Sequence, residues 1–358
     1  MEVISQSEQK RSPSVQKYGM FPSSNLLGAI MKVRREKQLN AVADDVLALT
    51  AVVGPILSGV LNALKADVVA EAGGASDVKL KMLPRLYRPG DGDVGICFEY
   101  AVHEAMNNGD ARVTERIHDA MRFCRIRPNE TKSILFGIEK SGAVQLIATA
   151  KNILTDESRT LAGKVGQPPK LLRRLNMLAA AFRRPTTRLA LPSSIRGLWK
   201  ADLFVGSLDS QQWVGTSVKI NPAQLEGAAG LRIGIVPTRQ GVSDKVRLDE
   251  HRGLVICPLH HDADFMQIFY EAWRVVQAFM NADAKIPKES ILPRPVDREI
   301  CRILEERREF PVVEVVEAMK VFGQPELMAT DVEDVRLEDV KGDTETSVVV
   351  APVSRATR

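Results

Sequence analysis

The chain has 358 residues, 44% of them hydrophobic, 26% charged and only 5% aromatic, with a net charge of +4. That apolar fraction matches folded domains and excludes disordered, collagen-like and mucin-like chains, while the length allows one large domain or two ordinary ones. Four cysteines (Cys97, Cys124, Cys257, Cys301) stand far apart with no CxxC, which excludes a zinc knuckle or disulfide framework and predicts reduced thiols in a cytoplasmic protein.

In chain order, residues 1–23 read as a flexible arm without the apolar run of a signal peptide. Residues 24–88 read as a helical region, with apolar residues every three or four positions and a break at Gly54-Pro55. The apolar stretch 46–64 holds that Gly-Pro pair, Ser58 and Asn62, with Asp44 and Asp45 ahead of it, so a buried helix pair is expected and no membrane partner. KLKMLPRLY (79–87) alternates like a strand before the turn PGDGD (89–93). Helices are expected at 94–108 and 111–124, a strand at 133–138 and a helix at 144–154. The second half predicts strands at 202–207, 213–221, 231–237 and 254–258, with a helix at 222–229. Helices follow at 264–281 and 296–308, and helical pattern continues to 322. Residues 89–322 thus form an α/β domain, and 323–358 an acidic tail expected to be mobile.

Charge is segregated along the chain. Residues 151–200 carry eleven Lys or Arg against two acids, a local charge of +9, so the remaining residues sum to −5. Within this block 171–184 reads as a basic amphipathic helix between Pro168-Pro169 and Pro185. Such a density of cations suits a phosphate backbone, each neutralised phosphate adding salt-sensitive affinity. Lys170, Arg173, Arg174, Arg183, Arg184, Arg188 and Lys200 are the candidate nucleic-acid contacts. An ordinary solvated helix face is the plainer reading; anionic lipid is the competing partner, disfavoured by a single aromatic, Phe182, on a short helix.

The most informative segment is KADLFVGSLDSQQWVGTSVKINP, residues 200–222. Read as a hairpin with the loop 209–212, it places Asp202 opposite Lys219, with Ser217 on the same face. An acid beside a lysine can hold a divalent metal and position a water, although a cross-strand ion pair needs no function to explain it.

This segment and its surroundings resemble the PD-(D/E)XK nuclease superfamily, the restriction-endonuclease-like fold. Ala201-Asp202 stands where that family has Pro-Asp, and Ser217-Val218-Lys219 where it has (D/E)-x-Lys. The expected helix 222–229 and strand LRIGIVP then follow in the family's order, and Glu99 in GICFEYAVHEAM matches an acid on the first core helix. The resemblance spans about 90–260, interrupted by the basic insertion. It implies a central mixed sheet flanked by helices and an Mg²⁺- or Mn²⁺-dependent endonuclease acting on DNA, in restriction or anti-phage defence. Asp202, Glu226 and Glu99 would hold the metal, and Lys219 would orient the attacking water. Ser217 departs from the family's second acid; Glu226, or the polar Gln224, on the following helix could replace it. The alternative implied by that departure is a nuclease fold that binds nucleic acid without cutting, or scaffolds a defence complex as a homodimer or partner subunit. A third reading is an interaction subunit whose basic segment docks an acidic protein or the chain's own acidic tail.

Two other signals read as structural. His260-His261-Asp262-Ala263-Asp264 alternates sides on an extended chain and reads as a strand-to-helix loop with a helix cap rather than a zinc site. The aromatics of 265–279 recur at helical spacing and suit core packing or a dimer face. No Walker, Rossmann, GxSxG or HExxH motif occurs.

Overall fold

The computed structural model describes residues 30–35, 43–88, 93–142, 146–161, 168–239, 241–261, 265–285, 292–322 and 331–336. The expected arm 1–23, most of the acidic tail and most of the turn 89–93 lie outside the described residues. Two units are distinguished: residues 1–39 with 329–358, and residues 40–328. In the first, β1 (Ile30–Arg35) pairs antiparallel with β9 (Asp331–Arg336). The first of these fell within the expected helical region and the second within the expected mobile tail; β1 carries the β-branched Ile30 and Val33 and β9 carries Val332 and Val335, and pairing makes them a ribbon.

The second unit begins with α1 (Asp44–Ala63), which runs unbroken through Gly54-Pro55 instead of splitting into two helices. A proline inside a helix costs about 3 kcal/mol. Leu49, Val52, Val53, Ile56, Leu57 and Val60 are at most 2% exposed, and each such burial contributes about 1.5–3 kcal/mol. Burial wins. α1 is also the one described helix long and apolar enough to cross a membrane, and 61% of that stretch is buried inside the protein.

After α2 (Ala66–Glu71), the expected strand at 79–87 is instead a 3-10 turn at Leu80–Met82 and the short α3 (Leu83–Leu86). Pro84 presets a helical φ there, and Lys79 retains only one bridge, to Pro311. α4 (Asp93–Asn107) and α5 (Ala111–Phe123) follow as expected, the latter capped by Asp110, which accepts from the Arg112 amide at 3.0 Å. Then come β2 (Thr131–Leu135), α6 (Ala148–Lys151), β3 (Arg159–Leu161) and α7 (Leu175–Arg183). The remaining strands are β4 (Leu203–Ser207), β5 (Gln212–Val218), β6 (Leu231–Pro237), β7 (Arg247–Asp249) and β8 (Leu254–Leu259). α8 (Phe265–Asn281), α9 (Pro295–Glu306) and α10 (Val312–Phe322) close the unit.

The strands form one mixed sheet in the order β2-β4-β5-β6-β8-β7, with β3 pairing β5 off that path. β2, β4 and β5 are successively antiparallel, whereas β5, β6 and β8 run parallel. Parallel strands need both faces covered, and two separate cores do this. On one face Leu203, Val205, Val214, Ile233, Ile235 and Cys257 pack with α1, α4, α5 and α8–α10. On the other, Phe204, Trp213, Leu231 and Ile256 pack with Leu171, Leu175, Leu178, Ile195 and Leu198 of the basic segment. The basic block is therefore a structural layer of the α/β unit.

The helix expected at 222–229 reduces to a 3-10 turn, Pro222–Gln224. Gly227 lies against the Arg252 carbonyl, where a Cβ would approach to 2.6 Å, and Leu225 descends onto Gly234. Those close contacts hold the chain in an irregular path that two glycines permit.

Candidate active site

The β4–β5 hairpin closes through the four-residue loop 208–211, one position earlier than the sequence suggests, so Ser207 pairs with Gln212 and Leu203 with Thr216. Gln211 takes positive φ (51°), and its side chain is held by Thr155 at 3.2 Å and by Ser158, both from the basic segment. The register consequently slips by two residues along the partner strand. A two-residue slip preserves which face each side chain occupies. Asp202 now stands opposite Ser217 rather than Lys219, and all three still converge.

Asp202 is fixed by its backbone and its side chain together. Its amide donates to the Thr216 carbonyl at 2.9 Å, while its own carbonyl accepts from the amides of Phe136 at 2.9 Å and Gly137 at 2.6 Å. One carboxylate oxygen, Oδ2, accepts from Ser217 Oγ at 3.2 Å, the Val218 amide at 2.9 Å and Lys219 Nζ at 2.9 Å. Among the described residues nothing donates to Oδ1. Lys219 follows β5 directly, its amide bound to the Ile235 carbonyl of β6 at 3.0 Å. The group therefore sits at the carboxyl ends of parallel strands, where open α/β sheets place ligands.

α4 brings Glu99 to the same place. The Glu99 carboxyl group lies against Gly137, where a Cβ would have to displace it. Burial first, then the negative charge of Asp202, pushes the Glu99 pKa up to about 8; Lys219 and Lys140 pull against this. Burial lowers the Lys219 pKa, but the charge and hydrogen bond of Asp202, with Glu99 and Glu226, outweigh it and leave it above its ordinary value.

Lys140 was not anticipated. It lies in a 3-10 turn, Glu139–Ser141, with 4% exposure. Its ammonium donates to the Ala201 carbonyl at 2.7 Å and faces the rings of Phe182 and Phe136 at 4.5 and 5.2 Å. Burial lowers its pKa, opposed by Asp202 and Glu99. Arg183 of α7 donates to the carbonyls of Lys140 (3.2 Å) and Gly142 and so clamps the turn. A lone lysine in an irregular turn has no spacing signal by which sequence could have marked it.

Glu226 is not brought together with Glu99 and Asp202: it is exposed and paired with Lys200, although its charge reaches Lys219. Gln224 is likewise exposed. The basic candidates divide by partner. Lys170 pairs with Glu157 at 3.2 Å and Arg173 with Asp156 at 3.8 Å. Arg183 and Arg188 are tied to backbone carbonyls, and Arg174 contacts Met177, with no carboxylate partner for these or for the exposed Arg184 among the described residues.

The two histidines separate: His260 meets Asp244 at 2.5 Å and Arg116, whereas His261 lies 5.5 Å from the Tyr270 ring. Asp262, Ala263 and Asp264 lie outside the described residues. The aromatics Phe265, Phe269, Trp273 and Phe279 are core residues. No group of three or more His, Cys, Asp or Glu that could hold a metal forms among the described residues. No family model, curated protein or solved structure matches this chain.

Proposed function

We propose that the chain is a restriction-endonuclease-like nuclease that hydrolyses phosphodiester bonds in DNA. One observation carries this reading: Asp202, Lys219 and the half-buried Glu99 converge at the carboxyl ends of parallel strands, beside a basic layer. The path from a helix bearing Glu99 to a strand headed by Asp202, and then to a strand ended by Lys219 with β6 beside it, supports the resemblance found in the sequence.

Magnesium is commonly held by one or two carboxylates, with waters and substrate phosphate completing its shell. Glu99 and Asp202 are close enough for their charges to oppose one another, so the pair fits that requirement even with serine at position 217. Glu99 and the free oxygen of Asp202 would hold the cation. Such a cation supplies polarisation of the scissile phosphate and stabilisation of the charge that builds during displacement. Lys219, its ammonium fixed at 2.9 Å from Asp202 and its side chain 29% exposed, orients a water for in-line attack. Ser217 steadies Asp202 instead of adding a charge.

A second reading, binding without cleavage, is favoured by that serine and by the pairing of Glu226 with Lys200. Supercoiled plasmid with Mg²⁺ or Mn²⁺ separates the two. The nuclease reading expects nicking or linearisation that Asp202→Ala and Lys219→Ala each reduce by about 10²-fold or more, the scale for losing one electrostatic or positioning group. Salt-sensitive binding with no cleavage under either metal would establish the second reading, and cleavage that survives both substitutions would overturn the assigned site.

A further inference from the structure

Trp199 stands three residues before Asp202, in the 3-10 turn Leu198–Lys200 that leads into β4. Its half-buried ring is overlaid by the Arg188 guanidinium, 3.9 Å from the ring centroid, with Lys200 Nζ at 5.4 Å and the Phe182 ring at 6.5 Å. Arg188 is held in this pose along its edge: Nε donates to the Ala181 carbonyl at 3.0 Å and Nη2 to that of Phe182 at 3.5 Å. These are carbonyls near the end of α7, where a cation is favoured. Unlike Lys170, Arg173 and Lys200, Arg188 has no carboxylate partner among the described residues. The next residue, Leu189, is 88% exposed, and Arg184 is exposed on the same stretch of chain.

A planar cation fixed on an aromatic ring, unneutralised and flanked by an exposed apolar side chain, offers a flat surface to another π system. We propose that Arg188, seated on Trp199, is a stacking ledge for an unpaired nucleobase, and that the strand presented to the Asp202–Lys219 site is single-stranded DNA. A base within a duplex has both faces covered by its neighbours and cannot use such a ledge; an unpaired base exposes a face to it. The surrounding arginines attract the backbone of either form, so the ledge supplies the preference for a single strand. The assignment of the strand as substrate rests on the nuclease reading, whereas the stacking contact stands apart from cleavage.

The chain has three tryptophans, and Trp213 and Trp273 are 0% and 6% exposed. Emission from Trp199 therefore reports on the ledge. The 358-residue chain is titrated in EDTA with a thymidine oligonucleotide and with duplex DNA of equal length. The single strand is expected to quench the emission and the duplex to quench it less. Arg188→Ala is expected to weaken single-strand binding by roughly 5- to 150-fold, the range for losing one stacked base, while changing duplex affinity by about twofold. Arg188→Lys keeps the charge and removes the plane, so it should lose single-strand affinity as Arg188→Ala does. Full affinity in Arg188→Lys, or equal affinity and quenching by duplex and single strand, would overturn the ledge. Single-strand preference that depends on Arg188, in a protein that cuts nothing with either metal, would uphold the ledge and sink only the nuclease reading.

Discussion

Glu99, half-buried, and His103, buried, stand one turn apart on α4 and are both shifted, in opposite senses for stability. Burial and Asp202 raise the Glu99 pKa from 4.5 to about 8, so between those values the folded chain holds a proton that the unfolded chain releases. That contribution is complete below pH 4.5 and is lost as pH rises through 8. Burial, with the nearby charge of Lys320, lowers the His103 pKa from 6.5 to about 4, so its contribution is complete above pH 6.5 and is lost as pH falls through 4. Glu139, pushed to about 7 by burial, adds to the Glu99 trend over the lower part of its range. The urea midpoint is accordingly expected to fall between pH 7 and 8, and Glu99→Gln to flatten that fall. An unchanged slope in Glu99→Gln would refute the shifted carboxyl. On the acid side, His103→Gln should remove part of the loss of stability between pH 6.5 and 4, read from the same midpoints.

At the scale of elements, the crossing of α1 over α4 sets where Glu99 can reach. A Cβ on Gly59 would come within 2.6 Å of the Cys97 Cα and 2.8 Å of its Sγ, two residues before Glu99. Gly59→Ala is expected to cost about 1–3 kcal/mol through overpacking. It should also displace α4 enough to lower any cleavage activity, both measurable by urea titration and plasmid assay on one preparation. Elements with strong apolar pattern were legible: LRIGIVP is β6 from Leu231 to Pro237, and α5 and α8 begin and end within a residue or so of their sequence-based bounds. The Asp202–Lys219 pairing was legible because hairpin parity survives a two-residue slip. The slip itself was not, since Gln211 at positive φ is held by Ser158 and Thr155, side chains distant in sequence. The missing helix around Glu226 has the same origin, a close backbone approach at Gly227 that no local pattern announces.

For the whole α/β unit, the basic block is half of a sandwich. Leu171, Leu175, Leu178 and Leu198 cover Phe204 and Trp213, and Arg183 fastens the turn that carries Lys140. Removing residues 168–196 is therefore expected to uncover an apolar sheet face and yield aggregated protein, scored by soluble yield and circular dichroism. A soluble, folded product would show that the block is dispensable. Asp202, at the end of that sheet, is tied by one oxygen to three donors while its other oxygen is left without one. Such a carboxylate cannot swing, so it presents a single acceptor in a fixed direction to whatever enters at the strand ends. Asparagine in its place would keep the three donors on its carbonyl and turn an amide outward. The outline of the site would be preserved, and the polarity of its one open atom would be reversed.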